Sequence, residues 1–130
     1  MDKRSQKERF DDGLKTRREV LGAAYVDKAM AGADEFNKPF VDLLNTYCWN
    51  DIWNRLGLDR KTRSMLNLAM LSALGKEHEL KLHINGALNN GVSKDQIREV
   101  FLQVAIYCGV PAAVVAFRCA REVFAKPGNS

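Results

Sequence analysis

The chain has 130 residues, 46% of them hydrophobic and 28% charged, a composition typical of a soluble globular protein with one modest core. No apolar run approaches the roughly 20 residues needed to span a bilayer, and the charged N-terminus has no apolar core of a secretory signal. We therefore expect a cytoplasmic single domain over 1–130, with its core over about 5–125 and a frayed tail over 126–130.

The net charge of +4 indicates a basic surface that can attract nucleic acid, a membrane or a small anion. The basic residues of the first twenty positions are interleaved with acids, however, which is typical of a solvated helix face. We therefore expect neither nucleic acid nor a membrane as a partner, with nucleic acid left as a weak alternative; a small anionic ligand is equally compatible with the charge.

The three cysteines, Cys48, Cys108 and Cys119, form neither a C-x-x-C pair nor a metal-ligand spacing. We expect them to be reduced thiols in apolar surroundings, where cysteine behaves as a small hydrophobic residue. Their spacing does not favour dithiol redox chemistry.

Apolar residues recur at helical spacing and no segment alternates with a period of two, which predicts an all-α bundle of about six helices. The first is a polar, amphipathic helix over about 5–31. The second runs over about 34–55, with Pro39 in its first turn or at a kink.

A third helix, over about 60–74, is apolar around most of its circumference, which favours burial. A fourth runs over about 76–90, a fifth begins at the capping box formed by Ser93 and Gln96, and the last has Pro111 in its first turn and ends near residue 125. Two of the predicted helices are apolar nearly all round, and their apolar surface is larger than a lone domain of this size can bury. We therefore expect a homo-oligomer.

The fourth helix carries a carboxylate and an imidazole, Glu79 and His83, four residues apart. At about 100° per residue they lie about 40° apart on one face, among Leu80, Ile84 and Ala87. Burial of ionisable groups is costly unless they are paired or functional, so the pair is suited to general acid–base catalysis. The alternative stays open, because this spacing is common by chance and a buried histidine is often purely structural.

A metal site is not expected. The second histidine, His78, is five residues from His83 and about 140° away around the helix, and no H-E-x-x-H motif is present.

Four further residues have both a functional and a structural interpretation, and for each the structural one comes first. Arg63 can bind a substrate carboxylate but is also a typical surface arginine. Trp49 and Trp53 can line a pocket or pack in a core, and Tyr107 can supply a phenol to a site or lie in the seam of the bundle.

Five blocks occur in order along nearly the whole chain: KERFDDGLKTRREVLGAAYVDKA, FNKPFVDLL, WNDIWNRLGLDRKTRSMLNLAML, ELKLHINGALNNGVSKDQIREV and AIYCGVPAAVVAFRCAREVF. In these blocks, and in their order and spacing, the chain resembles the carboxymuconolactone decarboxylase family, in its short single-domain branch.

The resemblance implies an alkylhydroperoxidase D-like helical fold and a ring-shaped homo-oligomer, a hexamer or trimer. It also implies cofactor-free decarboxylation of 4-carboxymuconolactone to 3-oxoadipate enol-lactone, in the protocatechuate branch of aromatic degradation (the β-ketoadipate pathway). The implied catalytic residues are Glu79 and His83, with His83 donating a hydrogen bond or proton and Glu79 orienting it. We assign Arg63, Trp49, Trp53 and Tyr107 to substrate binding.

Some positions depart from the family pattern. Gln103, Val114 and Asn50 stand where histidine, asparagine and glycine are frequent. They favour, as an alternative, a related enzyme acting on a different lactone or oxo-acid. A thiol peroxidase is less favoured, because Lys76 and Glu79 replace the C-x-x-C pair of the hydroperoxidase branch. A non-catalytic oligomeric binding module is a further alternative.

Overall fold

The computed structural model describes residues 3–129, and within that range it contains helices and no strand, which confirms the all-α prediction. Contacts divide the chain into two compact units, the first ending at Asp59 and the second beginning at Arg60. The helices are α1 (Gln6–Leu21), α2 (Ala23–Ala31), α3 (Lys38–Leu43), α4 (Arg60–Leu74), α5 (Glu77–Asn89), α6 (Lys94–Tyr107) and α7 (Val110–Phe124), and a π-helical segment, Leu44–Ile52, continues α3. None of the helices in this range is both long and apolar enough to cross a bilayer.

The prediction of a single first helix over about 5–31 is wrong, because the helix breaks at Gly22. This residue has φ of 97°, a conformation that glycine adopts without steric cost, and its N–H bonds to the carbonyl of Arg18 at 2.9 Å. Within residues 3–129, the expected six helices therefore become seven and a π-helical segment.

In the first unit, α1 packs against the π-helical segment. The two backbones approach so closely at Gly13 that a Cβ atom there would lie 1.7 Å from the carbonyl oxygen of Asn45. A partly buried polar contact follows one turn later, where the hydroxyl of Thr16 donates to Oδ1 of Asn54 at 2.8 Å. Glycine at position 13 is thus a requirement of this packing.

The second unit consists of α4, α5, α6 and α7, whose inward faces form the main hydrophobic core. Phe101 on α6 and Phe117 on α7 meet edge to face, with ring centroids 5.6 Å apart. The fully buried side chains of this core include Leu68, Leu80, Ile84, Phe101, Ile97, Ala116, Cys119 and Val123.

The predicted helix signals of the second unit are confirmed. Ser93 and Gln96 form a reciprocal capping box at the start of α6, with both N–H···O distances at 3.0 Å. Pro111 lies in the first turn of α7, and Asn129, within the tail expected to fray, donates to the carbonyl of Val123 at 2.9 Å. The last residue, Ser130, lies outside the described range.

The expectation that α4 is buried around most of its circumference is wrong for the isolated chain. Only Ser64, Leu68 and Ser72 are buried, while Leu66 and Met70 are about half exposed. The packing partners of α4 in the second unit cover one of its faces.

We call a group of exposed side chains on α6 and α7 the apolar surface. Ile106 and Tyr107 are each 80% exposed, and the other members are also largely in solvent: Leu102, Val110 and Val114. Cys108 beside them is exposed too, as is Cys48, so the expectation of apolar surroundings is confirmed only for Cys119.

Candidate active site

Glu79 and His83, both on helix α5, differ in solvent exposure. His83 lies in the arc of α5 that also holds the buried residues Leu80, Ile84 and Ala87, and its own side chain is half-buried. Glu79 belongs to the first turn of α5 and is exposed. The prediction that both groups are sheltered is therefore wrong for Glu79, because the helix begins only two residues before it and covers its carboxylate little.

The position of Glu79 also has a structural consequence. A carboxylate in the first turn interacts favourably with the unpaired N–H groups at a helix N-terminus. Glu79 thus stabilises the start of α5 in addition to its effect on His83.

The imidazole of His83 is neutral at physiological pH. Burial lowers the pKa of His83 from 6.5 to about 4, while the Glu79 carboxylate acts in the opposite direction and raises it. Burial outweighs the carboxylate, so the ring is neutral although Glu79 favours its protonated form. A neutral imidazole offers one N–H donor and one acceptor nitrogen.

A residue that the sequence pattern did not single out, Asn67 on α4, contacts this ring. Its Nδ2 lies 3.4 Å from Nδ1 of His83. A second side-chain contact joins α4 to the end of α5, where Asn90 Nδ2 donates to the hydroxyl of Ser64 at 2.9 Å. The signal available in the sequence was an amide in the middle of an apolar helical stretch, where a polar side chain requires a partner.

Arg63 lies on the same face of α4 as Asn67, because the two residues are one helical turn apart. Its side chain is half-buried. Of the predicted substrate-binding residues, Arg63 is the one that the structure brings to the helix face directed at His83.

The other predicted substrate-binding residues are placed differently. Trp49 and Trp53 are buried in the first unit and stack on each other, with ring centroids 4.9 Å apart. Tyr107 is the last residue of α6 and is part of the apolar surface. Its predicted place in a bundle seam is wrong for the isolated chain.

The three positions that depart from the family pattern also differ in their surroundings. Asn50 is buried in the first unit, where its Nδ2 donates to Asp51 Oδ1 at 2.9 Å. Gln103 and Val114 are exposed on α6 and α7. Asn50 therefore has a structural role, whereas Gln103 and Val114 are available for contacts outside the chain.

Two cavities of the second unit lie elsewhere. One, of about 510 Å³, is lined by α6 and α7, and the other, of about 330 Å³, lies between the 71–77 turn and α7. Neither is lined by Glu79 or His83. Within residues 3–129, no group of three or more histidine, cysteine, aspartate or glutamate side chains is placed to hold a metal ion.

Comparison with known proteins identifies the family. Residues 38–122 match the carboxymuconolactone decarboxylase family. The chain is 39% identical to a 4-carboxymuconolactone decarboxylase of Acinetobacter baylyi, over 92% of this chain and 90% of that protein. It is also 44% identical to a nitrosuccinic acid decarboxylase of Metarhizium robertsii, over 82% of this chain and 75% of that protein.

Both relatives remove carbon dioxide from an acid, and the match extends over most of each chain. The chain belongs to the carboxymuconolactone decarboxylase family and is an enzyme of the carboxy-lyase class.

Proposed function

We propose that the chain decarboxylates a small dicarboxylic acid, with 4-carboxymuconolactone as the first candidate and 3-oxoadipate enol-lactone as its product. The relative from Acinetobacter baylyi supports this substrate. The observation that carries the proposal is a half-buried, neutral imidazole, His83, held against an amide on the neighbouring helix. Such a group can donate a hydrogen bond without itself bringing charge into the site.

The substrate supplies its own electron sink. Its departing carboxylate is attached to a tetrahedral ring carbon, which is bonded to the C=C bond that is conjugated with the lactone carbonyl. When the C–C bond to this carboxylate breaks, its electron pair moves through the C=C bond into the carbonyl and carbon dioxide leaves. The resulting dienolate is protonated on carbon to give the enol-lactone, so the net reaction consumes one proton and releases one carbon dioxide.

His83 is the residue we assign to the developing oxyanion. A preorganised N–H donor aimed at the oxygen on which charge grows stabilises the transition state more than the substrate. Removal of one such donor typically costs about 100-fold to 1,000-fold in kcat. The proton added to carbon comes from solvent, and we assign its relay to Glu79, which is exposed one helical turn from the ring, so the imidazole stays neutral throughout the step.

The second carboxylate of the substrate does not react and must be held. Arg63 is our candidate, because a guanidinium binds a carboxylate through two parallel N–H···O bonds. We propose Tyr107, at the exposed end of α6, as an apolar wall that excludes water from the reacting carboxylate.

A second candidate substrate follows from the relative in Metarhizium robertsii, which is named a nitrosuccinic acid decarboxylase. In nitrosuccinate the departing carboxylate is on the carbon that bears the nitro group, and the electron pair left behind moves onto the nitro oxygens as a nitronate. The carbon that loses carbon dioxide also carries a carboxymethyl group, as it does in 4-carboxymuconolactone. One site with an N–H donor and a carboxylate-binding arginine therefore serves either reaction.

We propose that the enzyme acts as a homo-oligomer, a hexamer or trimer, in the cytoplasm, in the protocatechuate branch of aromatic degradation. Exposed side chains of the apolar surface, such as Ile106 and Val110, support association. A neighbouring subunit placed there would also supply walls that the isolated chain does not provide.

A substrate panel tests the proposed function. The purified enzyme is mixed separately with 4-carboxymuconolactone, nitrosuccinate and a simple 2-oxo-dicarboxylic acid, and carbon dioxide and the organic product are measured together. We expect turnover of the lactone, or of the nitro acid if the second candidate is correct. Binding of the lactone or the nitro acid, with no carbon dioxide released from any of the three compounds, would contradict an enzymatic role and favour a binding module.

A further inference from the structure

We propose that Asn67 is a positioning residue, whose side-chain amide donates to Nδ1 of His83 and thereby keeps the proton of the neutral ring on Nε2. The hydrogen bond and the position of the ring proton are properties of the substrate-free protein. Only its catalytic consequence rests on the proposed function.

The contact defines the tautomer through the chemistry of its two atoms. Asn67 Nδ2 lies 3.4 Å from His83 Nδ1, at the long end of hydrogen-bond distances. An amide nitrogen has only donors, so the Nδ1 atom facing it must be the acceptor. In a neutral imidazole the other nitrogen, Nε2, then carries the hydrogen and is the donor.

The surroundings support a neutral ring with one orientation. His83 is half-buried beside Ile84 and Ala87, and burial lowers the pKa of His83 to about 4. Across the helix pair, the hydrogen bond from Asn90 to Ser64 fixes α4 against α5, and Asn67 lies on α4 one turn after Ser64. The amide and the ring are therefore presented to each other by rigid elements.

The tautomer matters for the reaction because one ring nitrogen of a neutral imidazole donates a hydrogen bond and the other accepts one. With the hydrogen on Nε2, this atom donates to an oxygen on which negative charge develops. With the hydrogen on Nδ1, the Nε2 lone pair would face that charge and repel it. Partners that orient a metal-ligating histidine typically contribute about 10-fold to 100-fold in metal affinity or activity, and we expect an effect of the same size on kcat here.

The chain offers a clean spectroscopic test, because His78 and His83 are its only histidines. The ring nitrogens of the full-length, substrate-free protein are observed by ¹⁵N NMR, with the His78→Gln variant used to assign them. The test variants are Asn67→Leu, which removes the donor at similar size, and Asn67→Asp, which replaces it by an acceptor. The matched control is Asn85→Leu, since Asn85 on the opposite side of α5 accepts a contact of the same length, 3.4 Å, from Asn129.

We expect His83 in the wild type to be protonated on Nε2, to become a mixture of tautomers in Asn67→Leu, and to move its proton to Nδ1 in Asn67→Asp. Asn85→Leu should leave the ring unchanged. In turnover assays Asn67→Leu should lower kcat by roughly 10-fold to 100-fold with little change in KM. A wild-type ring protonated on Nδ1, or a tautomer that is the same in wild type and Asn67→Leu, would overturn the proposal.

The outcomes separate this proposal from the proposed function. If no acid is decarboxylated but the tautomer depends on Asn67 as described, the positioning of His83 is supported and the proposed function fails. If carbon dioxide is released normally by Asn67→Leu and the tautomer is unchanged, the proposed function is supported and the positioning role is overturned.

Discussion

At the scale of single residues, His83 shows what a helical pattern can and cannot predict. Its spacing from Glu79 and its position among Leu80 and Ile84 were sufficient to predict a partly buried imidazole beside a carboxylate. The exposure of Glu79 was not predictable from the angle around the helix, because it depends on which other elements extend over the first turn of α5. The contact from Asn67 joins different helices, and a local pattern does not contain such pairings.

The negative charge of the Glu79 carboxylate should influence the pKa of His83 by electrostatic attraction. Since Glu79 raises the pKa of His83, the Glu79→Gln variant should lower that pKa further below about 4. The measurement is an NMR titration of the two histidines. The matched control is Glu77→Gln, which removes the other acid from the first turn of α5 but should leave His83 unchanged. An unaltered titration of His83 in Glu79→Gln would contradict the electrostatic coupling.

Burial of a neutral His83 should also make stability depend on pH. The pKa of His83 is about 4 in the folded protein, and in the unfolded chain it returns to about 6.5. Between these values the unfolded chain binds a proton that the folded protein does not, so the free energy of unfolding falls as pH drops from about 6.5 to about 4. At about 1.4 kcal/mol per pKa unit the loss amounts to roughly 3 kcal/mol.

Urea denaturation at pH 7 and pH 4.5 measures this effect when wild type is compared with His83→Gln. Carboxylates contribute to both proteins alike, so the difference between them isolates the histidine. We expect the wild type to lose more stability than the variant on acidification. Equal losses would contradict a buried neutral ring.

At the scale of elements, the period of the apolar residues predicted most helices, and glycine explains where the prediction failed. The pattern over 5–31 is helical throughout, and it does not reveal the break at Gly22, where φ is 97°. The π-helical segment was also outside what a period of 3.6 residues reveals. The capping box at Ser93 was predictable because all its determinants are local.

The close approach of α1 to the π-helical segment gives a prediction at this scale. Gly13→Ala would place a Cβ 1.7 Å from the backbone oxygen of Asn45, which cannot move without shifting the main chain. We expect a loss of more than about 3 kcal/mol in the free energy of unfolding. Gly57→Ala is the matched control, because the added Cβ would have no atom within 4 Å and the φ of Gly57 is not positive. Equal stability of the two variants would contradict the described packing.

At the scale of the whole molecule, the sequence predicted more apolar surface than one chain of this size covers, and the structure shows where part of it lies. Ile106 and Tyr107 on α6 and Val110 on α7 are at least 64% exposed. A count of apolar residues indicates such an excess, but only the packing of the four helices determines which face is left uncovered.

If the apolar surface joins subunits, a charge placed in it should separate them. We expect Ile106→Glu to shift the protein to a smaller species in light scattering coupled to size-exclusion chromatography, because an unpaired carboxylate is costly to bury. Lys94→Glu, an exposed change at the other end of α6, is the control and should leave the assembly unchanged. A wild-type protein that elutes as a monomer would contradict the oligomer.

The central claim is that His83 performs the decarboxylation, and the two histidines of α5 provide its most direct test. Wild type, His83→Ala and His78→Ala are compared on 4-carboxymuconolactone by following formation of the enol-lactone, with circular dichroism to verify the helical fold. His78 is exposed on the same helix, so its variant should retain full activity, whereas His83→Ala should lose at least about 100-fold in kcat. A folded His83→Ala enzyme that releases carbon dioxide at the wild-type rate would contradict the account.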